Sequence, residues 1–152
     1  MKHVLTTTLI LSLTALGCAD QASNDADTAA GDAAAADQPI GAVTIVEPSE
    51  GAEVAGSSVT VRLETEGVPI VIAGDMTPNT GHHHLYLDAD LTPADQPVPT
   101  VPNSIVHMGD ASATYTFENV PPGEHRLIAV VADGAHFPLQ PWVVDTVTFV
   151  VP

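Results

Sequence analysis

Short stretches of β-forming residues, separated by proline and glycine, occupy the chain from residue 42 to residue 151, and no segment shows a helical period. The stretches are 42–46, 58–64, 68–73, 82–88, 113–117, 126–132 and 144–151. Runs of this length, bounded by turn residues at regular spacing, are typical of sheets that pack on each other. The pattern therefore predicts an all-β fold.

Alternation within the stretches indicates which side chains are buried. In 58–64, Val59, Val61 and Leu63 alternate with polar residues, as in a strand with one face on a core. The stretch 126–132 is apolar at every position after Arg126 and predicts a strand in the middle of a sheet.

Residues 40–152 are the predicted folded domain, an antiparallel immunoglobulin-like β-sandwich of about seven strands. The turns at 48–52 and 121–125 are similar to those of bacterial immunoglobulin-like domains. Residues 89–104 contain four prolines and no strand pattern. We expect a long surface loop there, and a loop of that length in a small sandwich is a candidate functional loop.

Two segments that precede the domain predict its location. Residues 1–17 combine a polar start with an apolar stretch too short to span a bilayer, and Cys18 follows. This predicts a lipoprotein signal peptide with lipidation at Cys18; an ordinary cleavable signal is the alternative. Residues 18–39 are rich in Ala and Asp and predict a disordered tether. We therefore expect the protein at the bacterial cell envelope, lipid-anchored at the outer membrane or facing the periplasm.

The composition excludes several partners and sites. With 19 acidic and 3 basic side chains the chain offers no basic surface for nucleic acid. Its 1 Cys excludes an intrachain disulfide and a Cys-rich metal site. Motifs of serine hydrolases, zinc proteases and phosphate-binding loops are absent from the sequence, so we expect no enzymatic activity. The expected partners are the membrane, through the lipid anchor, and an envelope protein.

Six of the 7 histidines lie in the predicted domain, and three of them are consecutive. On a strand, His82 and His84 share one face, while His83 points with Leu85 to the core. Two imidazoles at this spacing can bind one copper or zinc ion. The pair therefore predicts a metal site on the face away from the core.

Two imidazoles alone do not make a tight metal site, so further donor side chains are needed. The candidates are His136, His107 and Met108, and the thioether of Met108 would favour copper. Asp88 and Asp133 are candidates to orient the imidazoles by accepting hydrogen bonds from them.

The histidines also have interpretations that involve no metal. We expect His83 to be a hydrogen-bonded core residue and His125 to serve the fold. If His82 and His84 were an inert pair, the domain would be a structural or adhesive module that binds protein or carbohydrate through residues 89–104. Redox chemistry at a copper site is the last alternative, because the ligand pattern of sandwich dismutases is incomplete.

Four motifs around the histidines form a specific pattern. They are Gly81-His82-His83-His84-Leu85 with Asp88, His107-Met108-Gly109, Pro121-Pro122-Gly123-Glu124-His125-Arg126-Leu127, and Asp133-Gly134-Ala135-His136-Phe137-Pro138 with Pro141. Over roughly residues 66–151 the chain resembles the bacterial envelope family catalogued as domain of unknown function 4399. The resemblance implies an envelope location and places all six domain histidines on histidine positions of the family.

Three departures from that family pattern bear on the metal. Members often carry Phe where Met108 stands, and further histidines at the positions of Gly134 and Leu139. By this resemblance the chain has lost imidazoles and gained a thioether, which favours copper over zinc. The sequence thus predicts an exported, lipid-anchored, His-rich domain that binds a transition metal.

Overall fold

The computed structural model describes residues 40–152, which form eight strands and no helix. The strands are β1 (Ala42–Glu47), β2 (Ala52–Glu53), β3 (Val59–Glu66), β4 (His82–Leu87), β5 (Ile105–Met108), β6 (Thr114–Phe117), β7 (Gly123–Ala132) and β8 (Val144–Val151). The predicted all-β class is therefore confirmed. The predicted signal peptide, Cys18 and tether lie outside the described residues. Within the described range there is no apolar helix of the length needed to cross a membrane.

The strands form two sheets. One has three strands in the order β1-β3-β6, and the other has five in the order β2-β8-β7-β4-β5. All neighbouring strands pair antiparallel except β2 and β8, which pair parallel. The apolar stretch 126–132 lies within β7, in the middle of the larger sheet, as its composition predicts.

A shared core holds the two sheets together. Val61 and Leu63 of the smaller sheet are 0% and 2% exposed, and Leu85, Leu127 and Phe149 of the larger sheet are equally inaccessible. All five belong to one apolar cluster. Burying a side chain of this size contributes about 1.5–3 kcal/mol. The alternation of β3 thus places its apolar residues against the larger sheet.

A second apolar cluster covers the opposite face of the larger sheet. Its buried members are Tyr86, Val98, Ile105, Ile128, Val130 and Ala132, with Trp142 and Leu91 packed against them. Because Val98 belongs to residues 89–104, the predicted surface loop packs on this face. All six residues of β4 are consequently buried, on both faces of the strand.

Three features differ from the predicted strands. Residues 68–73 are not a strand and form one isolated bridge, between Ile70 and Gly81. Pro69 lacks an N–H group, and Gly67 and Gly74 adopt positive φ angles, so the β-branched run is interrupted at both ends. The sequence pattern also missed β2, which has two residues, and β5, which follows the proline-rich loop.

An ion pair fastens the C-terminal end of β4. His125 Nδ1 lies 2.7 Å from Asp88 Oδ2, and its Nε2 lies 2.8 Å from the Pro121 carbonyl oxygen. Both neighbours are acceptors, so both ring nitrogens donate and the imidazole is a cation. Burial lowers the pKa of His125, but the hydrogen bonds to Asp88 and Pro121 and the charge of Asp88 outweigh it and raise the pKa overall.

This raised pKa predicts that stability falls as pH rises above the ordinary histidine pKa of about 6.5 and through the raised value of His125. A cation with a raised folded-state pKa contributes fully below the unfolded value of about 6.5, and its contribution is lost as pH passes the folded value. Asp88→Asn should flatten this loss, measured as the urea midpoint against pH. Asp90→Asn is the matched control, since Asp90 contacts Arg126 instead. An unchanged slope in Asp88→Asn would contradict the assignment.

Candidate metal centre

Four histidines meet at the N-terminal end of β4, at the other end of the strand from Asp88. They are His82, His84, His107 and His136, and one ring nitrogen from each lies within 4.8 Å of the others. We refer to these four residues as the four-histidine cluster. The structure therefore brings together four of the five metal ligands that the sequence suggested.

Strand pairing positions three of the rings. His82 and His84 are two residues apart on β4 and project from the face away from the shared core. In the register of β4 with β5, His84 lies directly opposite His107, so both rings project from the same face. On the other side of β4, His82 is opposite Ala132, the last residue of β7.

A tight turn after β7 brings the fourth ring. Asp133 Oδ1 accepts hydrogen bonds from the N–H groups of Ala135 and Phe137, and the His136 N–H donates to the Asp133 carbonyl. The Val98 N–H donates to the His136 carbonyl at 2.8 Å. His136 adopts a φ of 71°, a left-handed conformation that is uncommon for a residue with a side chain. The turn thus folds His136 back over β4.

The distances between the rings suit a small metal ion. The Nε2 atoms of His82 and His84 are 3.0 Å apart, and those of His107 and His136 are 3.2 Å apart. Metal–nitrogen bonds of about 2.0–2.1 Å in a tetrahedral site place the nitrogens roughly 3.3 Å from one another. Small rotations of the rings would close the remaining separations, so the four imidazoles fit a transition-metal ion.

The cluster is half enclosed. His82 and His84 are 0% exposed, whereas His107 and His136 are partly exposed. The Nδ1 atoms of His82 and His84 are buried and have no hydrogen-bond partner among the described residues. The site is therefore closed on the side of the sheet and accessible on the side of His107 and His136.

Burial and crowding keep His82, His84 and His107 neutral. Burial, followed by the nearby imidazoles of His107 and His136, lowers the pKa of His82 to about 4. Burial and the other rings lower the pKa of His84 to about 3. The pKa of His107 is lowered as well, by burial and by His136. At neutral pH these rings therefore carry the lone pairs that a metal ion requires.

A glycine that the sequence analysis did not single out makes room for one ring. The His107 imidazole lies against Gly109, where an added Cβ atom would overlap the ring and contact Ala73. The signal was present, since Gly109 closes the motif His107-Met108-Gly109, but only the structure shows what approaches it.

Met108 does not join the cluster, and its assignment as a ligand needs correction. Neighbouring residues of a strand point to opposite faces, so Met108 points away from His107 and into the shared core. Met108 is 3% exposed and lies opposite His83 in the pairing of β4 with β5. The thioether is therefore an apolar core group.

The two predicted orienting carboxylates have other partners. Asp88 binds His125 and the backbone N–H of Arg126, far from the cluster. Asp133 accepts backbone N–H groups and so holds the turn that carries His136. Neither carboxylate accepts a hydrogen bond from an imidazole of the cluster in the described part of the chain.

His83 serves the fold, as expected. Its Nδ1 donates to the Ser112 carbonyl at 3.0 Å, and its Nε2 lies 2.8 Å from Thr65 Oγ1. Because Nδ1 carries the proton, Nε2 accepts from the hydroxyl. This buried ring has both polar atoms satisfied, in contrast to its two neighbours on β4.

A family model covers the part of the chain that contains the cluster. The sequence model of the family described as a domain of unknown function, DUF4399, matches residues 61–152. The chain belongs to this family. The DUF4399 match spans β4, β5 and the turn after β7, and hence the whole four-histidine cluster.

Comparison with individual proteins adds little. No curated protein matches the chain. A crystal structure of an engineered protein shares 17% identity and a TM-score of 0.42, over 74% of this chain and 20% of that one. The chain thus spans about a fifth of that protein, and a likeness this distant carries no argument about fold or function.

The unpartnered nitrogens predict that the cluster destabilises the metal-free protein. A buried polar atom without a partner costs about 1–3 kcal/mol. We expect the double variant His82→Leu, His84→Leu, which removes both unpartnered atoms and leaves neither ring without its partner, to raise the free energy of unfolding of the metal-free protein by about 1 kcal/mol, measured in urea at pH 7. His83→Leu is the matched control and should lower it, because it leaves Thr65 and Ser112 unpaired. A loss of similar size in both variants would show that the cluster stabilises the fold.

Proposed function

We propose that this protein is an exported, lipid-anchored domain that binds a transition-metal ion through the four-histidine cluster. The observation that carries the proposal is the convergence of four imidazole nitrogens within 4.8 Å. Imidazole is the commonest metal ligand among side chains, and neutral rings bind best.

A purely structural role explains the cluster poorly. His83 and His125 show how this fold satisfies a buried imidazole, since each has partners for both ring nitrogens. Among the described residues, Nδ1 of His82 and of His84 has no hydrogen-bond partner, and the Nε2 atoms of the two rings are hydrogen-bonded to each other. Apolar side chains at these two positions would avoid that cost, whereas a bound ion would use the converging lone pairs.

For the metal we propose copper, in its divalent state, in preference to zinc. With Met108 in the shared core, its thioether no longer favours the monovalent ion. The ligand set is then purely imidazole, which suits copper, zinc and nickel alike. Divalent copper binds such nitrogen sites more tightly than its neighbours in the first row. Four protein ligands would complete a four-coordinate site and leave no position for a substrate, which supports a binding rather than an enzymatic role.

Metal retention tests the proposal. Untagged protein covering residues 18–152, with Cys18→Ser to remove the competing thiol, is loaded with copper or zinc and desalted. We expect about one ion per chain and a higher thermal midpoint, which a chelator reverses. The double variant His82→Ala, His84→Ala should retain none, measured by elemental analysis.

Two results would contradict the proposal. Equal retention by the double variant would place the metal elsewhere. No retention by the unchanged protein, with a midpoint indifferent to chelator, would favour the structural or adhesive module. Gly109→Ala sharpens the test, because it removes no ligand but displaces the His107 ring; weaker binding is expected.

We further propose that the domain is held at the cell envelope by lipid on Cys18, behind a signal peptide at 1–17 and a tether at 18–39. The short apolar stretch before Cys18 supports this proposal. Membrane attachment and a partner protein of the envelope follow from it.

Membrane fractionation tests the anchor. In a bacterial host the full chain should sediment with membranes and incorporate labelled fatty acid. Cys18→Ser should abolish the labelling. Fatty acid incorporated equally by that variant would rule out Cys18 as the acylated residue.

For the fold we propose an immunoglobulin-like sandwich over residues 40–152. Support comes from the strand order, in which the first, third and sixth strands form one sheet and the fourth, seventh and eighth lie in the other. This matches the division of immunoglobulin domains into two sheets.

A further inference from the structure

We propose that metal enters and leaves the four-histidine cluster by exchange at His136, the detachable fourth ligand, while His82, His84 and His107 retain the ion. This inference rests on the proposed metal binding and deepens it by assigning the ligand that leaves first.

The four ligands differ in what holds them. His82 and His84 belong to β4, which is paired on both sides, to β5 and to β7. His107 belongs to β5, which is paired to β4. His136 belongs to no strand: it lies in a turn closed by the bridge between Ala132 and Pro138 and held by hydrogen bonds with Asp133 and by the bond from Val98. A rearrangement confined to residues 133–137 would therefore move His136 and leave the pairing of β4, β5 and β7 in place.

The backbone of His136 is also strained. Six residues other than glycine adopt positive φ in the described range, and His136, at 71°, is the one that belongs to the cluster. Strain of this kind persists where the surrounding contacts enforce it, and it is concentrated at functional sites. Release of the ring from the metal would remove one of those contacts.

Access favours the two partly exposed ligands, His107 and His136, over the pair on β4. His82 and His84 are fully buried, so within the described part of the chain an ion approaches them past His107 and His136. Asp110 lies three residues after His107, and Asp133 three residues before His136. These carboxylates make the accessible side acidic, which favours the approach of a cation.

The exchange step is a ligand substitution without redox change. The bond between the metal and His136 Nε2 breaks, and a bond to an incoming nitrogen or sulfur donor forms, while three imidazoles stay bound. The incoming donor can be an imidazole or thiolate of a receiving protein. Substitution of His107, His84 and His82 in turn by further donors of that protein would then complete the transfer of the ion.

His136→Gly tests this inference. Glycine adopts positive φ freely, so the variant should fold and its metal-free form should be at least as stable as the unchanged protein. With residues 18–152 carrying Cys18→Ser, loaded with cobalt(II) or copper(II), we expect one retained ion that dissociates into excess chelator at least tenfold faster. Added free imidazole should restore slow dissociation and the original cobalt absorption bands.

The control and the contrary outcomes separate the two proposals. Asn119→Gly, also at positive φ and outside the cluster, should leave the dissociation rate unchanged. A His136→Gly variant that retains no ion, that dissociates at the unchanged rate, or that imidazole fails to rescue would overturn the role of His136 only. Absence of retained metal in the unchanged protein would overturn the proposed function itself.

Discussion

The register of β4 against its two neighbours determines where the rings of the four-histidine cluster lie. It places His84 opposite His107 and His82 opposite the end of β7. A shift of one residue would turn the core residue Leu85 to the outer face and the two cluster histidines of β4 into the core. Burial of apolar side chains such as Leu85 therefore fixes the register, and the register assembles the cluster. The imidazoles of the cluster are thus positioned by the packing of apolar side chains on the other face of the strand.

The second apolar cluster gives this strand its unusual environment. A sheet with one face on a core normally exposes its other face, but here Val98 and Ile128 cover the outer face beside the histidines. Val98 has two roles, because its side chain packs on the sheet and its N–H donates to the His136 carbonyl. The loop of residues 89–104 therefore supports both the burial of the rings and the turn that carries His136. Because its prolines already restrict the backbone of the unfolded chain, ordering the loop costs less conformational entropy.

The sequence predicts those structural features that depend only on residues close together in the chain. Alternation was enough to place His82 and His84 on one face and to mark β7 as central. It could not exclude Met108, because β5 was not predicted and only a strand there shows that Met108 and His107 point to opposite faces. The convergence of His107 and His136 could not be predicted, since it depends on strand pairing and on a turn distant in sequence. The orienting role of Asp88 was assigned to the wrong histidine for the same reason.

Opposite ends of β4 hold histidines of opposite charge preference. At one end His125 meets two acceptors and is held as a cation, and at the other His84 meets only other imidazoles and is held neutral. Protonation therefore changes the stability contributed by the two ends in opposite directions. A lowered folded-state pKa means that the unfolded chain binds protons more readily, so pH below about 6.5 destabilises the cluster while the pair of His125 and Asp88 persists. Protons and metal compete for the same ring nitrogens. A bound ion would therefore oppose the loss of stability that acid causes at the cluster end of β4.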